Sequence, residues 1–285
     1  MQLTNIPWVF NPDGSRPGYS LNIITGCENH VDGMCLGGDF PCYAYKLANG
    51  RVKNHYLNGD YLLPPTSYPC GLNDPFYPRF WPDRLQELVK RNHAKHIKDQ
   101  RGIFVCDMSD LFGIGVPGDW TVRVLDAIRQ NVIYPGDRFY ILTKQYYTMT
   151  KYSSFPENCV VGMTATKLKY LKLALEHMKN IQAKVKFLSL EPLLEDMSDW
   201  TPGGFSQSAF AEALNDSGVN WVITGCQTKP LKLPPSALHA TLGSVPIALK
   251  HVLASCSQAG VPVLVKPPLS KMLVGFRLEE TPWQK

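Results

Sequence analysis

The sequence predicts an α/β protein, a partial or full (β/α) barrel formed by a single domain over residues 1–285. Three observations carry that expectation. Short apolar runs recur along the chain, helical patterns lie between most of them, and each run is followed by small or polar residues. Continuous apolar strands that alternate with helices mean a parallel sheet covered on its faces. With seven candidate strands, a barrel fits the count better than an open sheet.

The elements follow in order. An aromatic lead-in (Trp8, Phe10, Tyr19, with Asn11, Pro12 and Pro17) should pack under the first strand, which is read at Leu21–Ile24. A loop over 26–45, GCENHVDGMCLGGDFPCYAY, is too rich in Gly and polar residues to be core. A short helix begins near Ala44 and is interrupted at Asn49-Gly50. Residues 60–82 form a Pro-rich cover, and long segments of this kind are usually functional. A helix runs from about Asp83, placed to cap it, to Lys98, with Leu85, Leu88 and Val89 as its apolar stripe. Buried strands then come at 102–106, 138–142, 159–163, 185–190, 220–225 and 261–265. Helices are expected over 119–131, 167–182 and 207–217, the last stopped by Gly218 at a C′ position.

Composition narrows the class. The chain is 44% apolar and 19% charged, as a globular protein is. Its N-terminus, MQLTNIPWVF, lacks the basic region and apolar run of a secretory leader. No stretch of about 18 apolar residues exists, which argues against a membrane span. Eight cysteines without such a leader point to a reducing cytoplasm and to metal or redox roles. A net charge of +5 permits an anionic partner without requiring one.

Chemistry concentrates at the strand ends. In parallel α/β folds the site is built from the loops at the C-terminal edge of the sheet. There stand Cys27, then Asp107, Ser109 and Asp110, then Thr143 and Lys144. Further along come Thr164 and Thr166, Ser189 and Glu191, Gly225 to Gln227, and Lys266. Cys27, Cys35 and Cys42 fall close together in the first of these loops, and soft thiolates select zinc, copper(I) or iron–sulfur clusters. Three thiolates on a four-iron cluster would leave one iron open. A zinc completed by His30 or Cys70, or ordinary thiols in a turn, are the alternatives.

Several words recur in order: FVCDMSDLF (104–112), FYILTK (139–144), VGMTAT (161–166), FLSLEPLL (187–194), WVITGCQT (221–228) and VLVKP (263–267). With Trp8 and Asn11, the Thr25–Cys27 and Cys42–Ala44 frame, and the Pro82-x-Arg84-Leu85 start, the chain from about Trp8 to Lys266 resembles a phage- and archaea-associated three-cysteine family. That family is of unassigned function and is described as radical-SAM-like. The resemblance implies a radical-SAM-like partial barrel, a [4Fe–4S] cluster on Cys27, Cys35 and Cys42, and S-adenosylmethionine on the open iron. An electron donor such as flavodoxin or ferredoxin would be a partner. The cysteine spacing departs from the family's, which usually sets its last two cysteines close together. Here seven residues separate Cys27 from Cys35 and six separate Cys35 from Cys42, so the middle ligand is open.

Within such a site, the cationic methionine amine wants a carboxylate, and the methionine carboxylate wants a cation or a backbone nest. Glu191, fixed by Pro192, is the first expectation for the amine or ribose. Asp107 and Ser109 come next, with Ser189, Thr164 and Gln227 as further cofactor contacts. Lys144 and Lys266 are expected to meet a carboxylate or an anionic substrate. A structural ion pair from Glu191 to Lys144 or Lys266 is the plain alternative. Cys106 and Cys226 read as small core residues, and Cys70 as a fourth ligand or hydrogen donor. The six lysines of 167–186 read as solvated helix faces, with a nucleic-acid track as the sharper alternative. Two functions result. One is a radical SAM enzyme on an unidentified substrate, with nucleic acid or nucleotide as one class. The other is a non-catalytic barrel, holding zinc or a structural cluster, that binds nucleic acid or protein.

Overall fold

The computed structural model describes residues 1–65, 70–92, 99–131, 136–195, 207–226, 248–267, 270 and 280–283. Its internal contacts divide the chain into two compact units, Met1–Val161 with Gln182–Lys184, and Gly162–Ile181 with Val185–Lys285.

The first unit begins with β1 (Gln2–Thr4), β2 (Gly18–Leu21) and β3 (Ile24–Thr25). Three short strands follow, β4 (His30–Val31), β5 (Met34–Cys35) and β6 (Phe40–Pro41), then helices α1 (Tyr43–Ala48) and α2 (Lys53–Asn58). Next come β7 (Arg79–Phe80), α3 (Pro82–Asn92), β8 (Gly102–Val105), α4 (Gly118–Gln130), β9 (Arg138–Thr143) and α5 (Tyr146–Thr150). The unit boundary falls inside β10 (Cys159–Thr164). The second unit continues with α6 (Leu168–Met178), β11 (Val185–Leu190), α7 (Gln207–Ser217), β12 (Trp221–Thr224) and β13 (Val263–Val265).

The main sheet has eight strands in the order β1-β2-β8-β9-β10-β11-β12-β13. Only β1 runs antiparallel to its neighbour among the pairings described, with Gln2 opposite Ser20. The registers Tyr19↔Ile103, Ile103↔Phe139, Phe187↔Trp221 and Val222↔Val263 are parallel. The fold is thus mixed α/β on a large, mostly parallel sheet. Its end strands β1 and β13 do not pair among the described residues, so no closed barrel is seen.

Burial explains the strands. Every residue of β8, β10 and β12 is buried, as a sheet covered on both faces requires. The aromatic lead-in packs as expected, with the Trp8 ring 4.7 Å from Phe104 and 5.8 Å from Tyr140. The Tyr140 hydroxyl donates to the Phe10 carbonyl at 2.9 Å and accepts the Phe10 N–H at 3.2 Å. In α4, Trp120, Val124, Leu125 and Ile128 form the buried stripe. In α6, Leu171, Leu175 and Met178 do the same, and Gly218 ends α7 with φ +67°.

Two local readings are corrected. The strand expected at Leu21–Ile24 lies instead at Gly18–Leu21, as β2. Asn22 leaves the ladder, its carbonyl accepting Arg84 Nη1 at 2.7 Å and its side-chain oxygen accepting the Met108 N–H at 2.9 Å. Ile24 and Thr25 then pair antiparallel with Phe80 and Arg79 in a separate two-stranded sheet. Asp83 does not cap α3, because Pro82 already occupies its first turn. Proline suits that position, having no N–H to leave unbonded, and Asp83 instead sets its charge against the helix N-terminus. The rest of the helix expected over 93–98 lies outside the described residues.

Candidate functional site

The loop over 26–45 is more ordered than its composition suggested. β4, β5 and β6 form a three-stranded antiparallel meander, with His30 opposite Cys35 and Cys35 opposite Phe40. The meander is hung on the first unit at defined backbone points. Gly26 donates its N–H to the Met108 carbonyl at 3.0 Å, and Cys27 donates to the Phe76 carbonyl at 2.8 Å. Cys42, just before α1, donates to the Gly33 carbonyl at 2.7 Å. Gly26 has φ +85°, and a Cβ there would stand 2.2 Å from the Tyr77 carbonyl oxygen. Only glycine fits so close an approach at that dihedral.

The turn that receives Cys27 is itself pinned by a buried cation. Arg79, with no exposed surface, donates Nη1 to the Tyr77 carbonyl at 2.8 Å and Nη2 to the Gly71 carbonyl at 2.9 Å. Its guanidinium lies 4.7 Å from the Tyr61 ring centroid. Trp81 Nε1 donates to Thr25 Oγ1 at 2.8 Å and ties β3 to the start of α3.

Cys27 and Cys42 pack against an apolar cluster of Ala44, Ala48, Tyr56, Phe76, Trp81 and Met108. Burial is the main force on the Cys27 thiol and pushes its pKa up to about 12; the charges of Asp110, Cys35 and Cys42 push the same way. Burial also raises Cys35, while the Lys144 ammonium opposes it. The three sulfurs therefore lie within one another's fields. Among the described residues no group of three or more His, Cys, Asp or Glu side chains is drawn together as a metal-holding set. His30 packs at a tilt against Tyr45 and Phe76, with centroids 4.8 and 5.3 Å away, and its Nδ1 accepts the Gly33 N–H at 3.3 Å. The side chain of Cys70 lies outside what the structure describes.

The ends of β8 and β9 face this loop. Asp110 accepts from Thr143 Oγ1 at 2.7 and 2.8 Å, from the Lys144 N–H at 2.9 Å and from the Phe112 N–H at 3.0 Å. Burial raises its pKa against those bonds. Lys144 runs along the loop's glycines: a Cβ on Gly37 would meet Lys144 Cβ at 2.9 Å, and one on Gly38 would lie 3.5 Å from its Cε. Its Nζ is 5.4 Å from the Phe40 ring centroid. Asp107 is raised by burial, with the Asn22 side chain favouring its anion. Its Oδ1 is buried without a hydrogen-bond partner, while its carbonyl accepts the Tyr43 hydroxyl. Ser109 Oγ donates to the Gly26 carbonyl at 2.5 Å, so it positions the cysteine loop directly. Cys106 is buried core, as expected.

In the second unit, Glu191 is paired with Lys266, both side chains less than a fifth exposed. The plain alternative for Glu191 is thus what the geometry contains. A Cβ on Gly225 would come within 3.1 Å of Glu191 Oε1 and 3.3 Å of Lys266 Cβ, so that glycine packs on the pair. Cys226 is half-buried there and raised first by burial. Thr164 and Ser189 are buried at the ends of β10 and β11, and the Ser189 carbonyl accepts the Ala165 N–H at 2.9 Å. Gln227 lies outside the described residues.

Sequence reasoning missed Asn22, Arg84 and Tyr43. Arg84 stacks over Trp81, 4.1 Å from the ring centroid, and its Nη2 lies 2.9 Å from His55 Nε2. Asn22 could have been found, because an amide inside an apolar run is an anomaly.

A family model described as a protein of unknown function (DUF5131) matches residues 15–236, more than half of the chain. No curated protein matches the chain. Among the described residues, no helix is long and apolar enough to cross a membrane.

Proposed function

The chain belongs to the DUF5131 family of proteins of unknown function, and we propose that it is a radical-SAM-type iron–sulfur enzyme. In this reading Cys27, Cys35 and Cys42 hold a [4Fe–4S] cluster, and S-adenosylmethionine binds at the iron they leave free. The observation that carries it is the donor set. Three half-buried thiols stand at one loop, Cys35 on β5 of the meander, and Cys27 and Cys42 on either side of it and packed against one apolar cluster. Burial works against ionising Cys27 and Cys35, and a thiophilic cation is what would stabilise converging thiolates. When bound, the cluster with its cofactor would supply one-electron cleavage of a C–S bond, the electron coming from a donor such as flavodoxin or ferredoxin.

The chain's own residues take defined parts. The apolar cluster behind Cys27 and Cys42 keeps water from that side. Lys144, laid along Gly37 and Gly38, adds the positive charge that favours the Cys35 thiolate. Asp107 becomes the leading partner for the methionine amine, since its Oδ1 is buried and unpartnered, whereas Glu191 is engaged by Lys266. A cofactor contact from Glu191 would require that pair to open. Ser109, bonded to the Gly26 carbonyl, positions the loop, and a cofactor contact from its hydroxyl would add to that role.

One observation favours a second reading. His30 lies directly opposite Cys35 in the meander register, and a Cys3His set is a closed structural zinc site. The chain would then be a zinc-binding module without this chemistry.

Anaerobic purification with iron, sulfide and zinc counted per chain separates the two. About four irons, with slow release of 5′-deoxyadenosine and methionine from S-adenosylmethionine after reduction, is the expected result. One zinc per chain, and no iron after reconstitution, would sink the enzyme reading.

A further inference from the structure

The sequence drew attention to the lysines of 167–186, yet these are partly committed within their own unit. Lys186 Nζ donates to the carbonyls of Met178 at 2.9 Å, Ile181 at 3.3 Å and Ser217 at 2.6 Å. Lys179 pairs with Glu176 at 3.6 Å. A different stretch holds uncommitted charge. From Phe40 to Gly59 the chain carries Lys46, Arg51 and Lys53 and no Asp or Glu. All three side chains are exposed, and none makes a hydrogen bond or ion pair among the described residues.

The fold gathers these cations on one element pair. The chain turns back sharply between α1 and α2, with Val52 donating its N–H to the Leu47 carbonyl at 3.1 Å and Lys53 to the Gly50 carbonyl at 3.1 Å. Ala48 and Tyr56 face the core, so the polar residues are left outside. Exposed among them are the amide of Asn54 and the ring of Tyr43, which is 54% exposed while its hydroxyl is tied to the Asp107 carbonyl. The pair begins directly after Cys42, beside the cysteine meander.

We propose that α1 and α2 form a binding surface for single-stranded nucleic acid. Its residue types decide between anionic partners. A protein interface has an apolar core and is depleted in lysine, and the exposed side of α1 and α2 presents no aliphatic residue. Phosphates are met by Lys, Arg and Asn side chains, and unpaired bases stack on exposed aromatic rings. Tyr43, Lys46, Arg51, Lys53 and Asn54 are that set. The inference does not depend on iron or on S-adenosylmethionine; if the enzyme reading also holds, it names the substrate class.

The test measures fluorescence anisotropy of the full chain, as purified, with a labelled single strand of about 20 nucleotides, longer than typical single-strand sites. The variant combines Lys46→Gln, Arg51→Gln and Lys53→Gln. A control combines Lys169→Gln, Lys172→Gln and Lys179→Gln, an equal charge change on exposed positions of 169–179. The first set should weaken binding at low salt about tenfold or more and flatten the log–log salt slope by about 2. The control set and a Lys46→Arg, Lys53→Arg variant should bind nearly as the parent does. No binding by the parent, or equal loss in the control set, overturns the proposal. So does competition by polyglutamate as effective as by unlabelled oligonucleotide, which would make the partner an acidic polypeptide.

Discussion

Asp110 accepts the backbone N–H of Lys144 at 2.9 Å, so a single carboxylate joins the segments that follow β8 and β9. The same side chain holds Thr143 Oγ1 and the Phe112 N–H. Removing it by Asp110→Ala leaves several buried donors without an acceptor. Each such orphan costs about 1–3 kcal/mol, so a loss of about 3 kcal/mol or more is expected in urea unfolding. Asp110→Asn, which keeps one acceptor oxygen, should lose less. Equal stability of parent and Asp110→Ala would show that the clamp contributes nothing.

Gly26→Ala should be disproportionately damaging for the addition of a single methyl group. Its Cβ would press on backbone, where relief requires the turn over 74–77 to move. A side chain at this dihedral and in this space costs about 1–3 kcal/mol for the backbone alone. The Cys27 thiol should then react faster with a maleimide, because the turn that covers it has shifted. Unchanged melting and unchanged thiol reactivity would contradict the anchoring described above.

His55 makes stability depend on pH in a definite direction. Burial first, and the nearby Arg84 second, hold its folded pKa below 6.5. The folded state thus resists protonating it, and the stability it contributes is present above pH 6.5 and lost as pH falls through the folded value. Asp107 and Asp110, raised by burial, act in the opposite sense, adding stability as pH falls through their folded values. A comparison therefore isolates the histidine: the parent should lose more stability than His55→Gln between about pH 7 and pH 5. Parallel curves would remove His55 as the source.

The ligand set can be resolved by substitution. Cys27→Ala and Cys42→Ala should abolish iron retention after anaerobic reconstitution, since both thiols are fixed by the frame around α1. His30→Ala should leave the iron count unchanged. If Cys35→Ala also retains all iron while His30→Ala loses it, the middle ligand is the histidine.

Much of the fold was legible because burial writes itself into apolar runs. The strands from β8 to β13 match their runs to within two residues at each end. The first parallel strand differs from its expected bounds because the largely apolar Leu21–Ile24 serves two sheets, and only Asn22 marks the break. In the site, thiols and carboxylates stood out by chemical type. Their partners Tyr43 and Arg84 did not, because they are ordinary polar residues until distant segments meet, whereas Asn22 is marked by its place in an apolar run. The meander of β4 to β6 was hidden for another reason. Its strands are two residues long, and so short an element carries no periodicity.

The meander closes its hydrogen bonds chiefly upon itself, while Gly26 and Cys27 are held from outside it by Met108 and Phe76. The position of the first cysteine is therefore set from outside the meander. The third cysteine is set from within the meander, because the Gly33 carbonyl accepts the Cys42 N–H and a Cβ on Gly33 would stand 2.4 Å from the Tyr45 ring. A change in length inside the meander would thus displace Cys42 relative to α1 while leaving Cys27 where it is, so the two outer cysteines answer to different parts of the chain.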